Sequence, residues 1–374
     1  MQSAFSNALS EVAAKHVRLS ATRHETLCWL ALLILRFGTI CLWQLAAHVA
    51  TAAKTDSVRR RFYRFFQHVR LDAASAARMV VELLGLSGKP WVLAIDRTNW
   101  DFGRTTINIL MVSVLWRGIS VPLIWTLLPK AGNSNTAERV DLLDRLERIF
   151  PQMRIGSLTG DREFIGNAWM TYLAQRDIPF TLRLRENQYV ARDGYATWTL
   201  ERHAQQLKRG EKLILPGFWR LGAGDDAQHG ALRVRIVMLR LESGELLALA
   251  TKGRPSLALA RYRQRWAIET LFGNLKTRGF DMETTHITDA RKLETLIAIM
   301  AMAATLAAKT GAAAERIRPI PVKSHGRKAV SLFALGLATL RKIFSRKITP
   351  QANKFLETLI SPTLPIKPLK KLGL

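Results

Sequence analysis

Trp91-Val-Leu-Ala-Ile-Asp96, set directly after Lys89-Pro90, reads as a short strand that ends on an acid. A continuous apolar run bounded by turn residues is the pattern of a strand buried on both faces. Two more runs follow, residues 108–115 and 121–128, rich in β-branched side chains and parted by Arg117-Gly118. Three strands in succession fit a meander. Over residues 138–150, Val140, Leu142, Leu143, Leu146 and Ile149 fall on one side of a helix. Residues 155–159 form a fourth strand that ends at Gly160-Asp161, residues 166–175 a helix, and residues 179–184 a fifth strand.

Three strands, a helix, a strand, a helix and a strand give the α/β order of an RNase H-like core. Working outward, residues 1–88 read as an all-helical domain. One apolar helix covers residues 27–37, Thr39 can cap a second, and Thr55, Asp56 or Ser57 a third over residues 58–69. Residues 89–185 are the first part of the core. Residues 186–254, with alternating runs around Glu242-Ser243-Gly244-Glu245, read as a β-rich insertion. The core resumes over residues 255–312 with a helix capped by Ser256 and stopped at Gly279, and then an apolar Ala/Met/Leu helix over residues 290–310. Residues 313–374 make a helical, basic C-terminal region, with 13 Lys and Arg from Glu315 onward against two acids.

The charge points to the partner. Among 374 residues, 56 Lys and Arg stand against 29 Asp and Glu, a net +27. The 48 % hydrophobic content excludes disorder throughout, so the excess is carried by a folded protein and calls for a polyanion, nucleic acid first. The helix over residues 58–69 carries Arg59, Arg60, Arg61 and Arg64, with Phe62, Phe65 and Phe66 at helical spacing. A short helix, a turn and a basic amphipathic helix outline a helix-turn-helix reader of DNA. Cys28 and Cys41 are the two cysteines, too few for a disulfide framework or a four-ligand zinc site. The most apolar stretch, Leu27 to Val49, is interrupted by Arg36, Gln44 and His48. No membrane span is expected from it, and residues 1–20 carry no signal-like apolar run. The expected location is the cytoplasm, nucleoid-associated in a bacterial cell.

In an RNase H-like sheet the first and fourth strands are neighbours, so Asp96 and Asp161 at their ends can converge. Carboxylate oxygens beside water and phosphate suit Mg²⁺, and two such ions serve in-line phosphoryl transfer. Gly160 permits close approach, and Arg162 offers a cation near phosphate. A third acid is expected from a helix against the sheet. Tyr262, Arg265, Glu269 and Lys276 lie at spacings that return to one azimuth at 3.6 residues per turn. The competing reading of that stripe is a solvated, salt-bridged helix face. Asp101, Glu163 and Glu283 stand near the chosen acids as alternative ligands. Thr98 and Asn99 either line the site or simply turn the chain. His286 reads as a structural or phosphate contact, and His325 as part of a basic tail that either touches DNA or is solvated surface.

Tyr262-x2-Arg265-x3-Glu269-x6-Lys276 resembles the signature of bacterial DDE transposases of the insertion-sequence-four group, which includes the Tn-five and Tn-ten enzymes. Ile95-Asp96-Arg97-Thr98 and Thr159-Gly160-Asp161-Arg162-Glu163-Phe164 look like the group's first two acid motifs. The resemblance implies cut-and-paste DNA transposition, with Asp96, Asp161 and Glu269 as catalytic ligands of two Mg²⁺ ions and Mn²⁺ as a substitute. It implies that Arg265, Lys276 and Tyr262 contact the transposon end. Nicking, a hairpin and strand transfer to target DNA would follow. The partners would be double-stranded DNA ends and target, held by a homodimer in a synaptic complex. A flipped base in this group is held by aromatics of the β insertion, for which Trp198 and Trp219 are the candidates, each equally readable as core. Trp266 would pack beside the end DNA. The rival readings are an RNase H-like nuclease without strand transfer and a domesticated, non-transposing DNA-binding protein. Sugar-polymer hydrolysis by two carboxylates fits poorly with +27.

Overall fold

The computed structural model describes residues 4–49, 51–103, 105–222, 232–324, 326, 328–345 and 349–361. His325 and the last part of the basic tail lie outside the described residues.

Five helices come first: α1 (Ala4–His16), α2 (Ala21–Phe37), α3 (Leu42–Ala47), α4 (Thr55–His68) and α5 (Ala73–Leu84). Residues 26–35 of α2 are apolar nearly all round and all are buried, as a helix without a polar face must be. It ends at Gly38, whose φ of 66° is the left-handed C-cap favoured by glycine. Asp72 caps α5 by accepting from the Ser75 N–H. None of the three expected caps serves α4, which starts one residue beyond Lys54 with no side-chain cap.

The meander follows as β1 (Pro90–Phe102), β2 (Thr105–Trp116) and β3 (Ile119–Leu127). Arg117 and Gly118 both take positive φ, 51° and 80°, which closes the β2–β3 hairpin with the twist its strands require. Then come α6 (Thr136–Ile149), β4 (Arg154–Gly160), α7 (Asn167–Gln175) and β5 (Phe180–Leu184). A full capping box, Asn135 with Glu138, starts α6. β1 pairs parallel with β4, and β4 parallel with β5.

Residues beyond β5 extend this sheet. They supply β6 (Tyr189–Ala191), β7 (Trp198–Thr199), the short α8 (Leu200–His203), β8 (Lys212–Ile214), β9 (Trp219–Leu221), β10 (Arg233–Arg240) and β11 (Leu246–Thr251). Eleven strands among the described residues join in the order β3-β2-β1-β4-β5-β11-β10-β9-β6-β7, with β8 on β10. The β10–β11 hairpin, expected within an insertion, therefore continues the core sheet through β11 on β5.

The remaining helices are α9 (Pro255–Gln264), α10 (Trp266–Gly273), α11 (Ala290–Ile317), α12 (Leu332–Phe344) and α13 (Pro350–Ile360). α11 is long and apolar enough to cross a bilayer, yet its whole apolar window is buried. It packs against α2, α5, α12 and β3 and so joins the N-terminal helices to the sheet. A Cβ at Gly311 would overlap the Leu332 carbonyl, and one at Gly336 the Ala307 carbonyl. The α11 and α12 backbones thus meet directly.

Candidate active site

The parallel ladder between β1 and β4 ends with Ile95 opposite Gly160, and Asp96 and Asp161 are the next residues on the two strands. The expectation that Asp96 ends its strand is corrected. β1 runs on to Phe102 because β2 keeps pairing with it as far as Phe102 opposite Thr105. Asp96 thus lies where one neighbour departs and the other remains, a gap into which side chains can converge. A Cβ at Gly160 would stand 3.0 Å from both Leu182 Cδ2 and Phe164 Cβ and 3.1 Å from Ile95 Cγ2. That crowding explains a glycine just before the acid.

The helix that brings the third acid is not regular. At Arg265 it tightens: the Arg265 N–H bonds the Tyr262 carbonyl and the Ile268 N–H bonds the Arg265 carbonyl, each three residues back, both at 2.9 Å. Beyond Gly273 it loosens into a π turn, Asn274–Arg278. Such departures from 3.6 residues per turn frequently mark functional segments. They also correct the single ideal stripe expected for Tyr262, Arg265, Glu269 and Lys276.

Three of those four still face the acids. Arg265 is 5 % exposed, and its guanidinium donates to Asp96 Oδ2 at 3.3 Å and to Glu269 Oε1 at 2.6 Å. The Tyr262 hydroxyl donates to Asp161 Oδ1 at 3.3 Å. Lys276 turns away: its Nζ donates to the Asn99 carbonyl at 3.1 Å and pairs with Glu283 at 2.7 Å. Burial pushes the Asp96 carboxyl up to about 6, with Asp161 and Glu269 adding to the rise while the Arg97 N–H and Arg265 oppose it. Burial also raises the Tyr262 hydroxyl. For Arg265 burial works against the charge, and the Tyr262 hydroxyl, Asp161 and Glu269 outweigh it, so its pKa is raised.

Asp96, raised chiefly by burial and further by Asp161 and Glu269, shares the buried Arg265 guanidinium with Glu269, and such a site has room for more positive charge. Its donors are all carboxylate oxygens, the hard ligands that Mg²⁺ and Mn²⁺ take. The donor chemistry therefore fits a divalent cation. Among the described residues no three acidic, His or Cys side chains are drawn together to enclose an ion, because Asp96 and Glu269 close on Arg265 instead.

The alternative acids all have other partners. Asp101 accepts from the Thr106 hydroxyl at 2.7 Å, Glu283 pairs with Lys276, and Glu163 with Arg97. Thr98 is buried, Asn99 bonds Arg97 and Lys276, and His286 meets the Phe102 ring edge-on at 5.0 Å. Arg162 is exposed and reaches Glu245 at 3.6 Å. Trp266 is 64 % exposed and lines a cavity with Val92, Arg117 and Lys328, a cavity that none of the three acids lines. Trp198 is 38 % exposed with the Arg202 guanidinium over its ring. Trp219 is corrected: it is 1 % exposed, with its Nε1 on the Pro216 carbonyl, and has no free face for a base. Arg61 has partners within the chain. It donates to Thr26 Oγ1, the Thr22 carbonyl and Glu25, and lies over the Trp29 ring. Arg59 pairs with Asp56 and lies over Trp43, whereas Arg60 and Arg64 are exposed.

Sequence reasoning missed the group behind the acids: Arg97 as an ion-pair partner, Ser134, Asn108 and Asn133. Two of these flank known motifs or turns, but only the fold brings Ser134 to Glu163.

The family described as Transposase DDE domain matches residues 87–306, more than half of the chain, which spans β1 through most of α11. The chain belongs to that family. Among solved structures it is similar to the piggyBac transposase of a cryo-EM synaptic complex with hairpin DNA, at 13 % identity over 96 % of this chain and 82 % of that one, with a TM-score of 0.41. No curated protein matches the chain.

Proposed function

We propose that this member of the DDE transposase family is a cut-and-paste transposase of the insertion-sequence-four group, with Asp96, Asp161 and Glu269 as its catalytic acids. The observation that carries the reading is that buried Arg265 bonds both Asp96 of β1 and Glu269 of α10, while Tyr262, on the preceding turn, bonds Asp161 just past β4. Asp96, Asp161 and Glu269 would hold divalent cations, Mg²⁺ by preference. When bound, two such ions supply an activated attacking oxygen and a stabilised leaving oxygen.

The chain's own side chains do the rest. The Arg97 N–H orients Asp96 by donating to Oδ1 at 2.8 Å. Tyr262 holds Asp161 by its hydroxyl. Arg265 balances Asp96 and Glu269 here, and it would be free to meet a phosphate if those two acids held divalent cations. Exposed Trp266, Arg162 and Trp198, and Arg60 and Arg64 on α4, would meet the DNA. The α/β sheet is read as an RNase H-like core spanning 89–185 and 255–312, the N-terminal helices as the DNA-binding domain, and the working unit as a homodimer pairing two ends in a bacterial cytoplasm. Hairpin formation and strand transfer belong to the same reading.

The test uses the full chain with duplexes cut from the DNA on either side of its gene, where the reading requires inverted repeats. Cleavage in Mg²⁺ followed by joining of the 3′-OH end to a plasmid is expected, lost in Glu269→Ala with duplex binding retained. Cleavage without joining favours the nuclease reading. Binding with no cleavage in Mg²⁺ or Mn²⁺ overturns catalysis altogether.

A further inference from the structure

Successive side chains of a strand point to opposite faces, so Arg97 faces away from the acids that Asp96 joins. There it meets a second set of polar groups. Arg97 Nε stands 3.3 and 3.2 Å from the two oxygens of Glu163, and the two side chains are only 14 % and 15 % exposed. Its remaining donors reach Asn99 Oδ1 at 3.3 Å, Asn108 Oδ1 at 3.1 Å and Asn133 Oδ1 at 3.2 Å. Glu163 Oε1 accepts from the Ser134 N–H at 2.9 Å and the Ser134 hydroxyl at 2.8 Å. Buried Arg139 donates to Ser134 Oγ at 2.9 Å and lies 5.0 Å over the Phe164 ring. Asn108 donates to the Lys130 and Gly132 carbonyls. A largely part-buried network of this kind, with Ser134 and Arg139 buried at its centre, rigidifies what it joins.

What it joins are the mounts of two acids. At one end the Arg97 backbone N–H donates to Asp96 itself. At the other, Glu163 belongs to the 3-10 turn Arg162–Phe164 that opens at Asp161 and is closed by the Phe164 N–H on the Asp161 carbonyl at 2.9 Å. The ladder between β1 and β4 has already ended at Ile95 and Gly160, so no backbone pairing sets the spacing of Asp96 and Asp161. The Arg97–Glu163 bridge spans that gap from the opposite face.

We infer that Arg97 and Glu163 are positioning residues that fix the separation of the Asp96 and Asp161 carboxylates, and through it the affinity of the site for a divalent cation. The inference rests on the catalytic reading above. Outer partners of metal ligands typically change affinity or activity about 10- to 100-fold when removed.

The experiment titrates full-length protein with Mn²⁺ and reads free Mn²⁺ by electron paramagnetic resonance, with the thermal midpoint in metal-free buffer alongside. Glu163→Gln and Arg97→Gln are each expected to weaken Mn²⁺ about tenfold. The double variant is expected to weaken it no further, since the two act as one unit. Arg97→Lys, which keeps the charge but not the fork, should fall between wild type and Arg97→Gln. Should Arg97→Gln not fold cooperatively, Glu163→Gln and Arg97→Lys carry the comparison. Wild-type Mn²⁺ affinity in folded Glu163→Gln, or single effects that multiply in the double variant, overturns the inference. Asp161→Asn separates the two levels. A wild type that binds Mn²⁺ no better than Asp161→Asn overturns the catalytic reading itself. One that binds better than Asp161→Asn but the same as Glu163→Gln overturns only the positioning role.

Discussion

The α9–α10 junction and α4 both present arginines at helical spacing beside aromatic side chains, and they end in opposite conditions. At the junction Arg265 is buried and bridges Asp96 and Glu269. On α4 the arginines divide: Arg61 is bound to α2, Arg59 leans on Asp56 and Trp43, and Arg60 and Arg64 face outward around exposed Tyr63. A sequence assigns charge to a face of a helix, but a neighbouring acid or carbonyl decides whether that charge reaches a ligand. The buried arginine reports on a site of negative charge, and the outward pair on an exposed basic surface.

The largest effect is expected where the acids meet. Asp161→Asn removes an oxygen donor and a charge while leaving the volume and the Tyr262 contact. DNA cleavage in Mg²⁺ should fall at least about 10⁴-fold, roughly 5.5 kcal/mol of barrier, with duplex affinity within about twofold of wild type. Cleavage assays and filter binding on the same preparation check both halves. A smaller loss would mean that another carboxylate supplies the ligand.

Next comes the contrast between two tryptophans of the outer strands. Trp219→Ala empties a fully buried position and should cost about 4 kcal/mol in urea unfolding. Trp198→Ala, on a half-exposed ring against Arg202, should stay within about 1 kcal/mol. Equal losses would show that Trp198 is also core.

Much of this was legible beforehand, for identifiable reasons. β1 to β5 were visible because strands buried on both faces are apolar without interruption, and the acid motifs because they sit at the edges of those runs. The length of β1 was not visible: Thr98 and Asn99 read as lining the site or turning the chain after the strand, and only pairing with β2 keeps residues 97–102 extended. The 3-10 and π distortions around Glu269 were equally hidden, since the residues there are ordinary helix formers and packing imposes the irregularity. The roles of Trp219 and Arg61 were undecidable from residue type, because burial of an aromatic or an arginine depends on partners far along the chain, such as Thr26 and Glu25 for Arg61. The join of β11 to β5 depends on a pairing across some 65 residues that no local pattern encodes.

Arg265 itself gives the third effect. Arg265→Gln leaves Asp96 and Glu269 without their shared cation. Loss of one partner of a buried pair costs about 3–5 kcal/mol, and Glu269, 39 % exposed at its side chain, tempers that to about 2 kcal/mol. Millimolar Mg²⁺ should restore more of the thermal midpoint in Arg265→Gln than it adds to wild type, because the ion takes over the charge balance. A midpoint insensitive to Mg²⁺ in both would argue that the acids do not hold a cation together.

The smallest effects distinguish the two kinds of arginine on α4. Arg61→Ala breaks bonds to Thr22, Thr26 and Glu25 and the stack on Trp29. Stability should drop by about 1.5 kcal/mol, while the slope of log affinity for a duplex against log salt stays as in wild type. Arg64→Ala is expected to do the reverse. Its side chain is exposed, with no ion pair among the described residues, so the melting curve should superimpose on wild type within about 0.5 kcal/mol. The salt slope should lose about one unit, the signature of one phosphate contact removed. Each variant controls for the other, since both delete one positive charge from the same helix. If Arg61→Ala lowers the salt slope as much as Arg64→Ala does, the contribution of α4 is diffuse charge rather than an outward-facing contact, and the division of its arginines by partner loses its functional meaning.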